Sequence, residues 1–200
     1  DNSSIGVLMV GKQTKEDTYG VIDIDGAFRG SNWQLAYQFA RSFENENGDY
    51  AASVGFTNVS ETWGNLFRAR AIGKDFNVDQ IGFVPWQGTL ESVALTGPLW
   101  YPKDGAIRNM FLYFGPGVDY EEVDLYTDYA GVVGFNMQFR DGWGYEISTV
   151  FGKSKDENIL YNSYSINLST WFDLSQKWSG NVWGGFERTY NFGRDFLAIF

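Results

Sequence analysis

The stretch VVGFNMQFRDGWGYEISTVF, Val132 to Phe151, decides the fold of this 200-residue chain. Apolar side chains alternate with small or polar ones in its first half, and the alternation resumes after Arg140-Asp141-Gly142. Strict alternation indicates an extended strand with one apolar face. A three-residue loop with Gly142 at positive φ brings the two apolar sets together. The stretch therefore predicts a long antiparallel hairpin.

Only one register of this hairpin keeps its two faces apart. The predicted apolar pairs are Phe139 with Trp143, Met137 with Tyr145 and Phe135 with Ile147. On the other face, Asn136 lies opposite Glu146. A slip of one residue would set phenylalanine against glutamate, so the sequence specifies the register strongly.

The composition excludes several kinds of chemistry. The chain has no Cys and no His, its aromatic content is 18%, and its net charge is -10. Without these residues there is no disulfide, no thiolate, no Ser-His or Cys-His catalysis and no His-ligated metal. We therefore expect no enzymatic activity, no cofactor and no metal. The acidic balance also disfavours nucleic acid as a partner.

The alternating pattern recurs along the chain and predicts about twelve strands in a single domain, residues 1–200. Short turns are predicted at 29–32, 58–61, 101–105, 140–142 and 173–177. Longer connections are predicted at 14–18, 43–49, 74–88, 116–128, 152–161 and 187–195. Alternation of long and short connections is typical of an up-and-down antiparallel β-barrel of the bacterial outer membrane. A soluble sandwich or lipocalin-like barrel, which would bury its aromatic face, is the alternative fold.

The barrel prediction assigns the two faces of the strands to lipid and to the lumen. The residues expected to face lipid are Trp33, Leu35, Tyr37, Phe39, Phe135, Met137, Phe139, Trp143, Tyr145 and Ile147. The polar residues expected to face the lumen are Asp23, Asp25, Gln34, Gln38, Asn136, Gln138, Arg140 and Glu146. Arg68, Arg70 and Arg108 are expected beside them, where they would neutralise the carboxylates, because lumen charges need partners. If Phe28 pairs with Trp33, Asp23 faces Gln38.

Five segments together resemble one protein family. They are SSIGVLMVGKQ (3–13), YGVIDIDGAF (19–28), NWQLAYQFARS (32–42), GDYAASVGFT (48–57) and IGKDFNVDQIGFVP (72–85). They resemble the C-terminal outer-membrane barrel of a Gram-negative, chiefly Bacteroidota-type family whose N-terminal domain is similar to family 9 carbohydrate-binding modules. The resemblance implies an outer-membrane location and a link to glycan handling, and it supplies no catalytic residues. The family barrel is longer at both ends, so we expect this chain to be its middle section, although Phe192, Phe196 and Phe200 weakly imitate a terminal strand.

Three groups of residues are candidate sites. Asp23 and Asp25 could act as paired carboxylates or bind a cation, but charge balanced within the lumen is the simpler interpretation. The acidic stretch Asp119 to Asp128 does not match a calcium-binding loop and is expected to be a solvated external loop. Aromatic residues near loop bases, Trp86, Tyr120, Tyr126 and Tyr129, could stack on sugars, but an interfacial aromatic belt explains most of them.

The sequence thus predicts a pore-forming or plugged barrel in the outer membrane, serving glycan uptake or surface display. The alternative is a non-conducting anchor that holds other outer-membrane or surface proteins. In either case the main partner is outer-membrane lipid. A soluble β-sandwich binding module and an outer-membrane hydrolase rank below these two.

Overall fold

The computed structural model describes residues 3–45, 47–82, 84, 86–123, 125–156, 158–175, 178–191 and 196–199. These residues form strands and connections and contain no helix. The strands are β1 (Ser4–Gln13), β2 (Thr18–Arg29), β3 (Trp33–Glu44), β4 (Tyr50–Val59), β5 (Trp63–Ile72), β6 (Thr89–Trp100), β7 (Ile107–Glu121), β8 (Tyr126–Phe139), β9 (Trp143–Asp156), β10 (Ile159–Ser175), β11 (Trp178–Asn191) and β12 (Phe196–Ile199). Each strand is hydrogen-bonded to its neighbours in chain order, and the fold is an all-β, antiparallel, up-and-down sheet.

The chain divides into two compact units. The first contains Asp1–Asn58, Leu66–Val93 and Val118–Thr127, and the second contains Val59–Asn65, Ala94–Gly117 and Asp128–Phe200. Both units have two-faced strands, because in each the register aligns most apolar residues with apolar ones and most polar residues with polar or small ones.

In the first unit, cross-strand rows show the two faces directly. One row runs across four strands through Gly6, Asp25, Gln38 and Ser53. The next row on that face runs through Leu8, Asp23, Ala40 and Ala51. This side is called the polar face below. The opposite, apolar face carries rows such as Val7, Ile24, Phe39 and Ala52.

In the second unit, the β8–β9 hairpin has the predicted register. Phe135 pairs with Ile147, Met137 with Tyr145 and Asn136 with Glu146. Gly142 has a φ of 85°, the left-handed conformation that the three-residue loop requires. The rings of Phe139 and Trp143 stack with their centroids 3.9 Å apart. The prediction for this hairpin is confirmed.

The β2–β3 hairpin differs from its prediction by two residues. Phe28 pairs with Leu35 rather than Trp33, and Asp23 pairs with Ala40 rather than Gln38. The N–H of Gly30 donates to the carbonyl of Trp33 at 2.9 Å, which closes a tighter turn around Ser31 and Asn32. A shift of two residues keeps every side chain on its predicted face, so the alternation alone did not exclude it.

Three predicted long connections were wrong for much of their length. Residues 116–128 and 152–161 are largely strand, and the connections there are only 122–125 and 157–158. In the predicted connection 187–195, the residues up to Asn191 belong to β11. Their polar composition suggested loops, but polar pairs hold these strand ends together. Ser154 Oγ and Ser163 Oγ lie 3.1 Å apart, and the Tyr161 hydroxyl donates to Asp156 Oδ2 at 2.8 Å. Between the strand bounds, the sixteen residues of 73–88 are the longest connection. Residues 173–175 of the predicted 173–177 turn belong to β10, so the prediction was wrong there. The rest of that turn, residues 192–195 and Phe200 lie outside the described residues.

Candidate functional site

The polar face of the first unit brings together three of the predicted polar residues. Asp23 is only 6% exposed, and Gln38 Nε2 donates to its Oδ2 at 3.2 Å. Asp25 lies directly opposite Gln38 and is exposed. The predicted contact between Asp23 and Gln38 therefore exists, although the two residues are diagonal and not direct partners. Gln34, in the same strand as Gln38, accepts a hydrogen bond through its Oε1 from Arg29 Nε at 3.0 Å.

The 73–88 connection folds against this polar face and encloses a cavity of about 410 Å³. Phe76, in that connection, is 4% exposed. Apolar side chains from the strands and from the connection line most of the cavity: Leu8, Val10, Val21, Phe76, Val78 and Ile81. Asp23, Gln38 and Arg70 add polar groups to its wall. An apolar cavity with a few polar groups has the usual character of a small-molecule site.

Hydrogen bonds fix the 73–88 connection in place. The N–H of Asn77 donates to Ser42 Oγ at 3.1 Å, and Ser42 is 1% exposed. Gln87 Nε2 donates to the Phe76 carbonyl at 2.6 Å, so one end of the connection holds the other. Lys12 Nζ donates to Gln80 Oε1 at 2.9 Å. The connection is thus attached to the sheet through both main-chain and side-chain groups.

An ion pair joins the start of the connection to the turn after β7. Lys74 Nζ lies 3.2 Å from Glu122 Oε1, and both side chains are substantially exposed. The hydrogen bond and the charge of Glu122 raise the pKa of Lys74 above its ordinary value of 10.5. Lys74 is therefore fully charged at neutral pH and keeps this contact.

The two carboxylate oxygens of Asp23 differ in their hydrogen bonding to the described residues. Its Oδ1 is buried and accepts no hydrogen bond from any described residue, whereas Oδ2 is held by Gln38. Arg70 lines the same cavity, but its Nη2 is paired with Glu91 Oε1 at 2.5 Å. We expected an arginine to neutralise Asp23. Among the described residues, Arg70 forms its ion pair with Glu91 instead.

The polar face of the second unit contains a hydrogen-bonded carboxylate. Glu146 accepts from the Tyr113 hydroxyl at 2.7 Å and from Asn136 Nδ2 at 2.9 Å. The Tyr113 ring covers Gly134, which leaves no room for a side chain there. Uncharged donors thus satisfy Glu146, where an arginine was expected. Gln138 shares this face, opposite Gly144.

Arg140 was predicted to face the lumen, but in the structure it contacts the backbone of another turn. It lies in the turn between β8 and β9. Its guanidinium donates to three backbone carbonyls, those of Pro102, Lys103 and Gly105, at 2.5 to 3.1 Å. It therefore joins two turns of the same unit.

The residues predicted to face lipid all share the apolar faces of their strands. Trp33, Phe39, Trp143 and Ile147 are exposed. The others, half-buried among their neighbours, are Leu35, Tyr37, Phe135, Met137, Phe139 and Tyr145.

The remaining candidates do not converge on a site. Trp86 and Tyr129 are exposed, in the 73–88 connection and in β8 respectively. The acidic stretch 119–128 continues β7 to Glu121 and begins β8 at Tyr126, so its prediction as an external loop was wrong for most of its length. No cluster of three metal-ligating side chains occurs among the described residues. Nor does the described part of the chain contain a helix with the length and apolarity needed to cross a membrane.

The cavity below the 73–88 connection was not predicted from the sequence, although signals for it were present. Strand β1 has apolar residues on both faces, since Leu8 and Val10 alternate with Val7 and Met9. The apolar side chains that β1 places on the polar face of the sheet need another segment to cover them. The apolar residues within 76–84 supply that segment.

Searches of protein-family models, curated proteins and solved structures give no match to this chain. The family resemblance of the five segments, including Ile72 to Pro85, stays a prediction. The assignment of function therefore depends on the geometry of the two faces.

Proposed function

We propose that this chain forms part of a transmembrane β-barrel in the bacterial outer membrane, with its apolar face against lipid and its polar face toward the lumen. The observation that carries the proposal is the reversed burial of the two faces. In β2 and β3, the buried side chains other than glycine are on the polar face: Asp23, Ala27, Ala40 and Ser42. The large exposed side chains of the same strands, among them Ile24 and Phe39, are on the apolar face.

The apolar face also has a height comparable with the apolar band of outer-membrane barrels. On β9 it extends from Trp143 to Phe151, and on β10 from Phe172 to Tyr164, which is eight residue steps on each strand. At about 3.3 Å per residue this is about 26 Å along the strand. A tilt of about 40° reduces the height to about 20 Å, close to the apolar band of about 25 Å on outer-membrane barrels.

Aromatic residues and charges bound this band. Trp143 pairs with Phe172 at the turn end, and Phe151 pairs with Tyr164 at the other end. The same face carries charge at that end: Arg188 lies in the far row, opposite Tyr164, and Lys153 follows Phe151 beyond it. In the first unit, Arg41 follows Phe39 on the apolar face of β3 and lies over the Tyr50 ring at 5.2 Å. Outer-membrane barrels have aromatic girdles at both membrane interfaces, with charged residues outside them.

A soluble sandwich would need a second layer over the apolar face. Such a protein hides its aromatic side chains and exposes its polar ones. Here the 73–88 connection lies on the polar face instead, with Asp23 in the wall of the cavity below it. This placement favours the membrane proposal over the sandwich.

The same connection suggests how the lumen works. A segment folded against the polar face would lie inside a closed barrel, where it narrows the lumen. We therefore propose a constricted pore, with glycan uptake as the role that the family resemblance implies. The competing role is a non-conducting anchor for partner proteins.

Fractionation of the full-length parent protein tests the membrane proposal. We expect it to partition with the outer membrane and to migrate differently on a mild-detergent gel before and after heating, because folded barrels resist detergent. A parent protein that stays in solution without detergent would show that the apolar faces contact protein and would overturn the proposal. Conductance in planar bilayers then separates the pore from the anchor.

A further inference from the structure

We propose that the cavity beneath the 73–88 connection binds a small amine with an apolar body, its ammonium group contacting Asp23. This inference depends on the cavity of the first unit and not on a membrane location. It can therefore fail or succeed independently of the fractionation experiment.

The carboxylate of Asp23 supplies the recognition chemistry. Asp23 is 6% exposed, its Oδ2 accepts from Gln38, and its buried Oδ1 accepts from no described residue. Buried polar atoms almost always have a hydrogen-bond partner, so an oxygen without one calls for a donor. A charged ammonium group makes a hydrogen bond to a carboxylate that is about twice as strong as one from a neutral donor.

The wall of the cavity selects the rest of the ligand. Aliphatic side chains and Phe76 form most of it, and the volume of about 410 Å³ falls within the range of about 300 to 1,000 Å³ of small-molecule sites. A monosaccharide would bring several hydroxyl groups, most of which would lose water without gaining a partner. An amine with an apolar body carries its N–H donors on one nitrogen atom, beside Asp23, and brings no other polar group against the aliphatic wall.

The nearby charges are compatible with a cationic ligand. Arg70 also lines the cavity, but the carboxylate of Glu91 pairs with its guanidinium at 2.5 Å. Asp25, one row away on the same face, adds negative charge outside the cavity. The Asp23 carboxylate is therefore the acidic group that a ligand within the cavity would meet.

Isothermal titration calorimetry of the full chain in detergent micelles tests the inference, with phenethylammonium chloride as the probe. We expect saturable binding that Asp23→Asn weakens by about tenfold or more, since the charge-assisted hydrogen bond is lost. Asp25→Asn is the matched control, because it removes the same charge from the same strand outside the cavity, and it should change the affinity by less than about threefold. Uptake of the probe by micelles is common to all samples and cancels.

The neutral analogue 2-phenylethanol separates carboxylate recognition from simple filling of an apolar space. It should bind at least about tenfold more weakly than the amine. Equal binding of amine and alcohol, equal binding by Asp23→Asn and the unaltered chain, or no saturable binding by the unaltered chain would each overturn the inference. If Asp23→Asn does not fold, Ala51→Leu tests the inference instead, because the larger side chain fills the cavity. Loss of probe binding by Ala51→Leu would support the site, and unchanged affinity would contradict it.

Discussion

Asn136 Nδ2 donates to Glu146 Oε2 at 2.9 Å across the β8–β9 hairpin, on the face opposite the stacked Phe139 and Trp143 rings. The Tyr113 hydroxyl donates to the other oxygen of the same carboxylate at 2.7 Å. Glu146 is therefore the acceptor on which two partly buried donors depend.

Replacing Glu146 by leucine should destabilise the protein, because it leaves both donors without an acceptor. We expect a loss of about 1 to 3 kcal/mol in the free energy of unfolding. Glu146→Gln keeps an acceptor oxygen and should lose less. Urea unfolding followed by tryptophan fluorescence measures the change, with Glu61→Leu in the exposed β4–β5 turn as the control. A Glu146→Leu protein as stable as Glu61→Leu would contradict the prediction.

Gly134→Ala should destabilise the same region, since the added Cβ would overlap the Tyr113 ring. We expect a cost of about 1 to 3 kcal/mol, typical of overpacking. Gly184→Ala is a matched control, because nothing lies within 4 Å of its added Cβ. Chemical denaturation compares the two glycine variants. If steric overlap is the cause, combining Gly134→Ala with Tyr113→Ala recovers part of the loss, and a lack of recovery would rule that cause out.

The hairpin could be predicted from the sequence because its turn chemistry and its alternation agree. Gly142 sets the loop length, and the register then follows for every pair from Phe135 to Ile147. The β2–β3 register could not be predicted as well. Gly30-Ser31-Asn32 fits turns of two lengths, and a shift of two residues leaves each face intact, so the pattern cannot distinguish them.

The polar strand ends and the cavity were harder to predict for a physical reason. Lys153 to Asp156 looks like a loop by composition, and only its partners on β10 make it a strand. The position of 73–88 depends on long-range contacts, such as that of Asn77 with Ser42, which no local pattern records. Local propensity is overridden where tertiary pairing supplies the hydrogen bonds.

Lys74→Met should lower the melting temperature at neutral pH but not at strongly alkaline pH. The pKa of Lys74 is raised in the folded protein by Glu122, so its stabilising contribution is complete below the unfolded value of 10.5. That contribution disappears as the pH rises through the folded value, above 10.5. Melting curves of both proteins from pH 7 to pH 12 test this, with Lys15→Met as the control. A difference that persists at pH 12 would mean that the lysine acts through packing alone.

Phe76→Ala should release the 73–88 connection from the polar face, because Phe76 is the buried aromatic residue that holds it there. Removing a buried phenylalanine costs about 3 to 5 kcal/mol, here mostly in docking of the connection. In a pore, release should raise the single-channel conductance. Trp86→Ala removes an exposed aromatic residue from the same connection and should change little. Equal conductance of the two variants would exclude the connection as the constriction, and no conductance by any form would favour the anchor.

Neighbouring residues of β10 offer a direct test of which face meets lipid. Leu168 is 49% exposed on the apolar face, and Asn167 is exposed on the polar face. At an exposed surface in water, arginine at either position would change stability by less than about 0.5 kcal/mol. In a membrane, Leu168→Arg should cost about 2 to 4 kcal/mol, because a charge near the bilayer midplane is poorly solvated. Asn167→Arg should cost much less, since its side chain would reach the aqueous lumen. Reversible folding into lipid vesicles measures both variants, and equal stabilities would place the apolar face outside the lipid.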